Sequence, residues 1–170
     1  MQGASFVQVN ADVAATLASR VETLVMAHAP ATVIDAYAGT GDVAAALARR
    51  GVEVAAIELD ADASVASASR LTAPSRAIAA KVEDVLADLL PADVVVLNPP
   101  RVGVDAGVTA ALAGGVPRPR AIIYVSCDPA TLARDVLRLS GWRVASLDCY
   151  DMFPQTAHVE TVCELVPEGA

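Results

Sequence analysis

Short apolar runs alternate with segments of helical periodicity along most of the chain. Five of these runs have the length and the continuous apolar character of buried strands. The predicted strands are Ala31–Asp35, Val52–Glu58, Arg76–Val82, Asp93–Leu97 and Ala121–Val125. Because a helical segment follows each strand, the pattern predicts an α/β fold built on a parallel sheet.

The helical segments are recognised from apolar residues that recur every three or four positions. In the first helix, which Asn10 can cap, these residues are Val13, Leu17, Val21, Leu24 and Val25. Further helices are predicted at about 42–50, 61–71, 104–113 and 129–139, the last opened by Pro129. A short helix that ends at Leu90 is predicted after the third strand. Arg143–Tyr150 and His158–Val166 alternate well enough to form a closing antiparallel pair, which makes seven strands in all.

Composition places the chain among globular proteins. Its 170 residues suffice for one domain with a substantial core, and 55% hydrophobic with 19% charged residues excludes a disordered chain. No apolar run approaches the roughly 20 residues that span a bilayer, and no signal-peptide pattern is visible. Three cysteines without metal-ligand spacing argue against a disulfide scaffold. We therefore expect one cytoplasmic domain over residues 1–170, without a membrane segment or a metal.

The net charge of −8 restricts how the chain can bind nucleic acid. A protein that neutralises phosphates by itself normally has a basic surface. Either the substrate is not a nucleic acid, or a separate module does most of the binding. Arg101, Arg118, Arg120 and Arg134 are candidates for phosphate contacts, although solvated surface explains any single one of them better.

The turn after the first predicted strand has the composition of a ligand-binding loop. It runs from Asp35 through Tyr37 to Gly39 and Gly41, just before a helix. Glycine lets a ligand approach the backbone closely, and a helix N-terminus presents free amide groups. A simple tight turn is the alternative. The G-x-G-x-x-G pattern is absent, which disfavours a dinucleotide enzyme.

Polar residues also end the next three strands, where open α/β sheets bind ligands. Glu58 stands where Rossmann-type sites hold a ribose, with a helix cap as the alternative. Asp84 is either an acceptor for an adenine amino group or a solvated first-turn acid. In Asn98-Pro99-Pro100-Arg101 the prolines stiffen the loop, so that Asn98 can be aimed at a substrate base.

Cys127 follows the fifth predicted strand and directly precedes a helix. The partial positive charge of the helix N-terminus favours a thiolate, whereas the neighbouring Asp128 opposes its formation. Cys149 and Cys163 lie in apolar segments and are predicted to be small buried hydrophobic residues. Cys127 is therefore the candidate nucleophile.

His158 and Glu160 are two positions apart near the start of the last predicted strand. They share one face if this segment is extended. Glu160 is chemically suited to act as a general base in a partly buried site, whereas an isolated acid at this position would be an edge charge.

The sequence resembles the RNA uridine-5-methyltransferase family, which modifies tRNA or ribosomal RNA. The resemblance rests on SFVQVN at 5–10, the turn at 35–41, NPPR at 98–101, YVSCDPATLARD at 124–135 and DMFPQTAHVE at 151–160. It covers nearly the whole chain in the family's order. It implies the Rossmann-like fold of class I methyltransferases: a mostly parallel seven-stranded sheet with a C-terminal antiparallel hairpin.

The resemblance also implies S-adenosylmethionine as the cofactor and RNA as the substrate. Gln8 and Glu58 match residues that contact the cofactor, and Asn98 matches one near the methyl donor and the base. The predicted cofactor set is Gln8, Asp35, Tyr37, Gly39, Gly41, Glu58, Asp84 and Asn98. The predicted substrate set is Asn98, Arg101 and His158.

The implied reaction has two stages. Carbon 5 of uridine is a poor nucleophile, so Cys127 would first add to carbon 6 and activate it. Carbon 5 would then take the methyl group, and Glu160 would remove the carbon-5 proton so that Cys127 is released. The predicted catalytic residues are therefore Cys127 and Glu160.

The sequence departs from the family in three places. Family members more often have Asp where Asn98 stands and Asn where Asp128 stands. They usually carry an RNA-binding β-barrel and an inserted domain before the segment that matches 6–10. We therefore expect the catalytic domain only, whether as a fragment, a minimal enzyme or one chain of a split system, with RNA binding shared by a separate module.

Three alternatives remain open at the level of sequence. A 5-methylcytosine RNA methyltransferase would typically have its cysteine in the loop after the fourth strand, which here is NPPR. An amino-methyltransferase suits Asn-Pro-Pro but has no use for Cys127 and Glu160. A SAM-binding or RNA-scaffold module without catalytic activity is the alternative of a different class.

Overall fold

A seven-stranded sheet organises residues 11–151 and 159–169, the part of the chain that the computed structural model describes. The strands are β1 (Thr32–Ala36), β2 (Glu53–Glu58), β3 (Arg76–Ala79), β4 (Val94–Leu97), β5 (Ala121–Ser126), β6 (Trp142–Tyr150) and β7 (Glu160–Pro167). The helices are α1 (Ala11–Ala27), α2 (Asp42–Arg49), α3 (Ala61–Ala68), α4 (Val82–Leu89), α5 (Ala106–Gly114) and α6 (Pro129–Arg138).

The strand order is β3-β2-β1-β4-β5-β7-β6. Strands β1 to β5 pair in parallel, and β7 is antiparallel to both β5 and β6. The direction of winding reverses between β1 and β4, which are neighbours in the sheet. Such a reversal leaves a crevice at the carboxyl ends of the strands, which is the usual ligand site of this architecture.

Helices cover both faces of the sheet. Successive residues of a strand point to opposite faces, so each apolar strand contributes side chains to a core on either side. Val33 and Ile123 belong to the core cluster on the side of α1 and α2. Ile34 and Ile122 belong to the cluster on the side of α4, α5 and α6. The central strands are therefore buried on both faces, which explains why they are continuous apolar runs in the sequence.

The predicted fold class is confirmed, including the seven strands and the C-terminal antiparallel pair. One boundary differs for a clear reason. The third strand ends at Ala79 instead of Val82, because Val82 is the first residue of α4 and points into the core, where it is 2% exposed. Asn10, the predicted cap of the first helix, lies outside the described residues.

The prediction that Cys149 is buried is wrong. Cys149 is exposed, as are the apolar residues Val144 and Leu147 of the same strand. The reason is that β6 is the edge strand of the sheet. Cys163 lies on β7, between two neighbouring strands, and its predicted burial is confirmed.

Within residues 11–151 and 159–169, no helix combines the length and apolar character needed to cross a membrane. The same residues contain no group of three or more His, Cys, Asp or Glu side chains that could hold a metal ion.

Candidate active site

The turn between β1 and α2 has an unusual backbone. Tyr37, Gly39 and Gly41 all have positive φ angles, of 63°, 55° and 79°. Such a conformation costs energy for a bulky residue such as Tyr37, and strain of this kind tends to occur at functional sites. At Gly41 a Cβ atom would also collide with the buried Ser67 side chain. Glycine is therefore required at position 41 for two separate reasons.

Glu58 ties this turn to the end of β2. Its Oε2 accepts a hydrogen bond from the Gly39 amide (2.9 Å), and its Oε1 accepts one from the Asp60 amide (2.8 Å). A carboxylate has about four acceptor positions, so both oxygens can still accept from a ligand. The side chain is half-buried and lines the largest cavity of the described structure.

Asp35 is a buried carboxyl with an unsatisfied oxygen. The residue is 2% exposed, and its Oδ2 has no hydrogen-bond partner among the described residues. Burial raises the pKa of Asp35 to about 7, although the Ala44 amide acts in the opposite direction. Because an unpaired buried polar atom costs stability, it indicates a place where a ligand group completes the pairing.

Two cavities near the turn after β1 share two lining residues. One, of about 760 Å³, lies between the loops that follow β1, β2, β3 and β4 and is lined by Glu58 among others. The other, of about 340 Å³, lies between α1 and the sheet and is lined by Asp35. Tyr37 and Asn98 line both cavities. Their sizes suit the two ends of one extended small molecule.

Two predicted cofactor residues, Asp84 and Gln8, and the predicted substrate residue His158 lack support from this geometry. Asp84 is exposed in the first turn of α4 and does not line the large cavity, whereas Lys81, Val82 and Glu83 do. Its contact with adenine stays a prediction. Gln8 and His158 lie outside the described residues, so their roles stay predictions too.

The loop after β4 begins at the junction of the two cavities. The Asn98 amide donates to the Ala36 carbonyl (3.2 Å), which continues the pairing of β4 with β1 by one residue. Pro99 is buried, whereas Asn98 and Arg101 are exposed. The loop therefore presents both predicted substrate residues outward from a fixed base.

Cys127 lies between two hydrogen-bonded residues. The Ser126 hydroxyl accepts from the Asp128 amide (3.1 Å) and donates to the Asp128 carbonyl (3.0 Å). The Asp128 carboxylate caps α6 by accepting from the amides of Thr131 (3.0 Å) and Ala130 (2.9 Å). The Thr131 amide, with that of Ala130, holds the pKa of Asp128 below its ordinary value. The backbone on both sides of Cys127 is therefore held in place, while Cys127 itself is partly exposed.

The pairing of β5 with β7 brings Cys127 and Glu160 to the same edge of the sheet. The last pair of the ladder is Ser126 with Thr161, and the Thr161 hydroxyl donates to the Ser126 carbonyl (3.0 Å). Cys127 and Glu160 are the next residue on each side. The two predicted catalytic residues therefore lie just beyond the ladder, at the same edge of the sheet.

Glu160 is 8% exposed. Burial raises the pKa of Glu160 above its ordinary value, and the positive charge of Arg101 acts in the opposite direction. A carboxylate whose pKa is raised by burial is a stronger base than one in water. Arg101 is therefore close enough to Glu160 to influence its ionisation.

Sequence reasoning missed Asp135 of α6. Its side chain is fully buried and accepts hydrogen bonds from Tyr124 on β5 and from the loop after β4. A signal was available, because Leu132, Asp135 and Leu139 are spaced as an inward helical stripe. A charged residue on such a stripe indicates a buried polar partner.

Family models match most of the chain. The tRNA (uracil-5-)-methyltransferase model matches residues 75–166, and the methyltransferase small domain model matches residues 3–113. The first covers more than half of the chain. The chain belongs to the tRNA (uracil-5-)-methyltransferase family. The predicted family is thereby confirmed.

Individual relatives agree with this family. The chain is 34% identical, over 98% of its length, to the 23S rRNA (uracil(747)-C(5))-methyltransferase RlmC of Shewanella amazonensis, of which it covers 44%. It is 35% identical, over 92% of its length, to the 23S rRNA (uracil(1939)-C(5))-methyltransferase RlmD of an Azoarcus species, of which it covers 39%. The chain therefore spans less than half the length of these relatives.

A solved structure of the family has the same fold. The tRNA (uracil-54, C5)-methyltransferase of Pyrococcus abyssi, in complex with S-adenosyl-L-homocysteine, superposes with a TM-score of 0.84 at 32% identity. The superposition covers 95% of this chain and 40% of that one. The magnesium protoporphyrin IX methyltransferase of Synechocystis, covering 96% of this chain and 87% of that one, has a TM-score of 0.70 at 14% identity, which shows the fold alone.

We predict that Asp35→Asn stabilises the ligand-free protein. The pKa of Asp35 is raised from 3.8 to about 7, so the folded state holds a proton that the unfolded state has lost, and stability falls as the pH rises between these values. Asparagine stays neutral. In urea denaturation the variant should gain up to about 4 kcal/mol at pH 8 and distinctly less at pH 5.5. The exposed Asp62→Asn is the control, and a variant less stable than wild type at pH 8 would contradict the prediction.

Proposed function

We propose that this chain is the catalytic domain of an enzyme that methylates carbon 5 of a uridine in RNA, with S-adenosylmethionine as the methyl donor. The observation that carries the proposal is that Cys127 and Glu160 lie directly beyond the last β5–β7 pair, Ser126 with Thr161, at the carboxyl edge of the parallel strands. A nucleophile beside a buried base suits a reaction that begins with addition to the ring and ends with loss of a proton. The relatives named as uracil-C5-methyltransferases support the choice of base.

The two joined cavities fit S-adenosylmethionine. The unpartnered Oδ2 of Asp35 suits the ammonium group of the methionine part, which lies in the smaller cavity. Glu58, which lines the larger cavity, suits the ribose hydroxyls of the adenosine part. Tyr37 and Asn98 line both cavities and would hold the part of the cofactor around the sulfonium. When bound, the cofactor supplies an electrophilic methyl group.

Cys127 opens the reaction by forming a bond from Sγ to carbon 6 of the uracil. The electron pair of the carbon 5–carbon 6 double bond moves towards the carbon 4 carbonyl, which makes carbon 5 nucleophilic. Carbon 5 would then bond to the methyl carbon as the bond from that carbon to the sulfonium sulfur breaks, which would leave S-adenosylhomocysteine. The fixed backbone at Ser126 and Asp128 keeps the sulfur in place for this attack.

Glu160 closes the reaction. It removes the proton from carbon 5, the electron pair of that bond restores the double bond, and Cys127 leaves as a thiolate. Burial supports this role because it raises the pKa of Glu160 and so strengthens it as a base. The positive charge of Arg101 acts in the opposite direction and favours the ionised carboxylate.

The substrate is an rRNA or a tRNA, since both occur among the relatives. The chain has a net charge of −8, so a separate RNA-binding module supplies most of the phosphate contacts. Arg101, exposed beside Glu160, contacts the target nucleotide.

Replacing Cys127 by alanine should abolish methyl transfer, because carbon 5 is no longer activated. The assay measures tritium transferred from labelled S-adenosylmethionine to in vitro transcripts of 23S rRNA and tRNA. Binding of S-adenosylhomocysteine by calorimetry should stay unchanged. Cys149→Ala, which removes an exposed thiol elsewhere, should keep full activity. Turnover by the Cys127 variant at the wild-type rate would refute the mechanism, and cofactor binding without transfer by the wild type would favour a non-catalytic module.

Glu160→Gln should trap the methylated covalent adduct, because the amide cannot take the carbon-5 proton and Cys127 cannot leave. We expect a band of RNA-shifted protein on a denaturing gel, present only when S-adenosylmethionine is added. The double variant Cys127→Ala/Glu160→Gln should give no shifted band. Free release of product by Glu160→Gln would assign the base to another residue.

Affinity for S-adenosylhomocysteine should rise with pH through the pKa of Asp35. The ligand ammonium pairs with the ionised carboxyl, which in the free protein has a pKa of about 7. We expect the Kd to fall about tenfold between pH 6 and pH 8 by proton linkage. Asp35→Asn should bind more weakly and lose most of this dependence, while Asp62→Asn should keep it. An unchanged wild-type Kd at the two pH values would remove Asp35 from the cofactor site.

A further inference from the structure

Asp135 is the centre of a buried hydrogen-bond network behind the candidate active site. Its side chain has 0% exposure. Oδ2 accepts from the Tyr124 hydroxyl (2.8 Å) and from the Val104 amide (3.0 Å). Oδ1 accepts from Arg134 through Nε (3.0 Å) and Nη2 (2.8 Å), and from Arg138 (3.4 Å). One carboxylate thereby joins β5, α6 and the loop after β4.

Two further side chains of α6, one of them in this network, hold the backbone of that loop at two more points. Arg134 Nη2 donates to the Val102 carbonyl (2.7 Å), and the Thr131 hydroxyl donates to the Arg101 carbonyl (3.1 Å). Together with the Val104 amide, three backbone groups of the loop are bound by side chains of α6.

Gly103 shows how closely the loop lies on α6. It has a φ of +80°, and a Cβ atom there would collide with the side chains of Asp135, Arg134 and Thr131. The loop can approach the network only with glycine at this position. The contact between the loop and α6 therefore requires both Asp135 and a glycine at position 103.

Stability alone does not explain a buried carboxylate with two guanidinium partners. Burying charges costs free energy that their attraction often only balances, so such groups are weak evidence for stability. A fully satisfied network does, however, favour one geometry over others. Here the geometry that it selects is that of residues 101–104 relative to α6.

We propose that Asp135 is a positioning residue. Through its network it holds the loop that carries Asn98 and Arg101 in a fixed position relative to Cys127. The helix that provides Asp135 begins two residues after Cys127. The loop and the nucleophile are thus attached to the same rigid element. The inference rests on the proposed function where kcat is measured. The exchange of the Val104 amide tests the position of the loop without that function.

The first test compares Asp135→Asn with Ser75→Ala. Ser75 also makes a buried hydrogen bond to a backbone amide, that of Val54 (3.0 Å), next to β3 at the opposite end of the sheet. We expect Asp135→Asn to lower kcat on the order of 10- to 100-fold, because small displacements of reacting groups have effects of that size. Ser75→Ala, assayed below its melting temperature, should keep the wild-type kcat.

The second test compares Gly103→Ala with Gly51→Ala. Both glycines have a φ near +80°, at +80° and +84°, but a Cβ at Gly51 meets nothing within 4 Å. The two variants therefore share the backbone strain and differ in the collision with Asp135. Gly103→Ala should lose kcat as Asp135→Asn does, whereas Gly51→Ala should lose only stability.

Hydrogen exchange of the Val104 amide gives a readout without RNA. The bond to Asp135 should protect this amide in the wild type, and both Asp135→Asn and Gly103→Ala should speed its exchange, whereas Ser75→Ala should not. An unprotected Val104 amide in the wild type, or Asp135→Asn with unchanged kcat, would overturn the inference. Absence of methyl transfer by the wild type, with Val104 still protected through Asp135, would instead refute the proposed function.

Discussion

The antiparallel entry of β7 between β5 and β6 is the constraint on which the candidate site depends. Parallel strands bring to the carboxyl edge only the residues that follow them. Because β7 runs in the opposite direction, its first residue lies at that edge. Glu160 thereby lies at the same edge as Cys127, from which it is distant in sequence, and burial raises its pKa. A parallel β7 would place Glu160 at the other end of the molecule.

Two buried carboxyl groups serve opposite purposes in this fold. Asp135 has every oxygen engaged, and its partners belong to β5, α6 and the loop after β4. Asp35 keeps one oxygen without a partner beside an open cavity. The first arrangement selects one geometry, and the second leaves an acceptor for a ligand at the expense of stability. The two carboxyl groups thus suit a rigid scaffold in which Asp35 remains available to a ligand.

The arginines divide into internal ties and one exposed candidate for substrate. Arg118 donates to the carbonyls of Gly141 and Ala113, and Arg120 donates to that of His28. Arg134 binds the Asp135 carboxylate. Of the four arginines proposed from the sequence for phosphate contacts, Arg101 is therefore the one whose guanidinium is not used in such a tie within the described residues. Most of the cationic groups thus stabilise the fold, which agrees with the proposal that another module supplies the phosphate contacts.

The sequence by itself determined the type and order of the elements, the glycine turn, and Cys127 and Glu160 as chemical candidates. These are local properties, because periodicity and turn composition depend on which face of each segment is buried. The tertiary structure decided which remote side chains meet. It set Asp135 against Gly103, left Asp35 unpaired, turned Asp84 away from the large cavity and exposed Cys149 on an edge strand. Such contacts follow from strand order and register, which no single segment encodes.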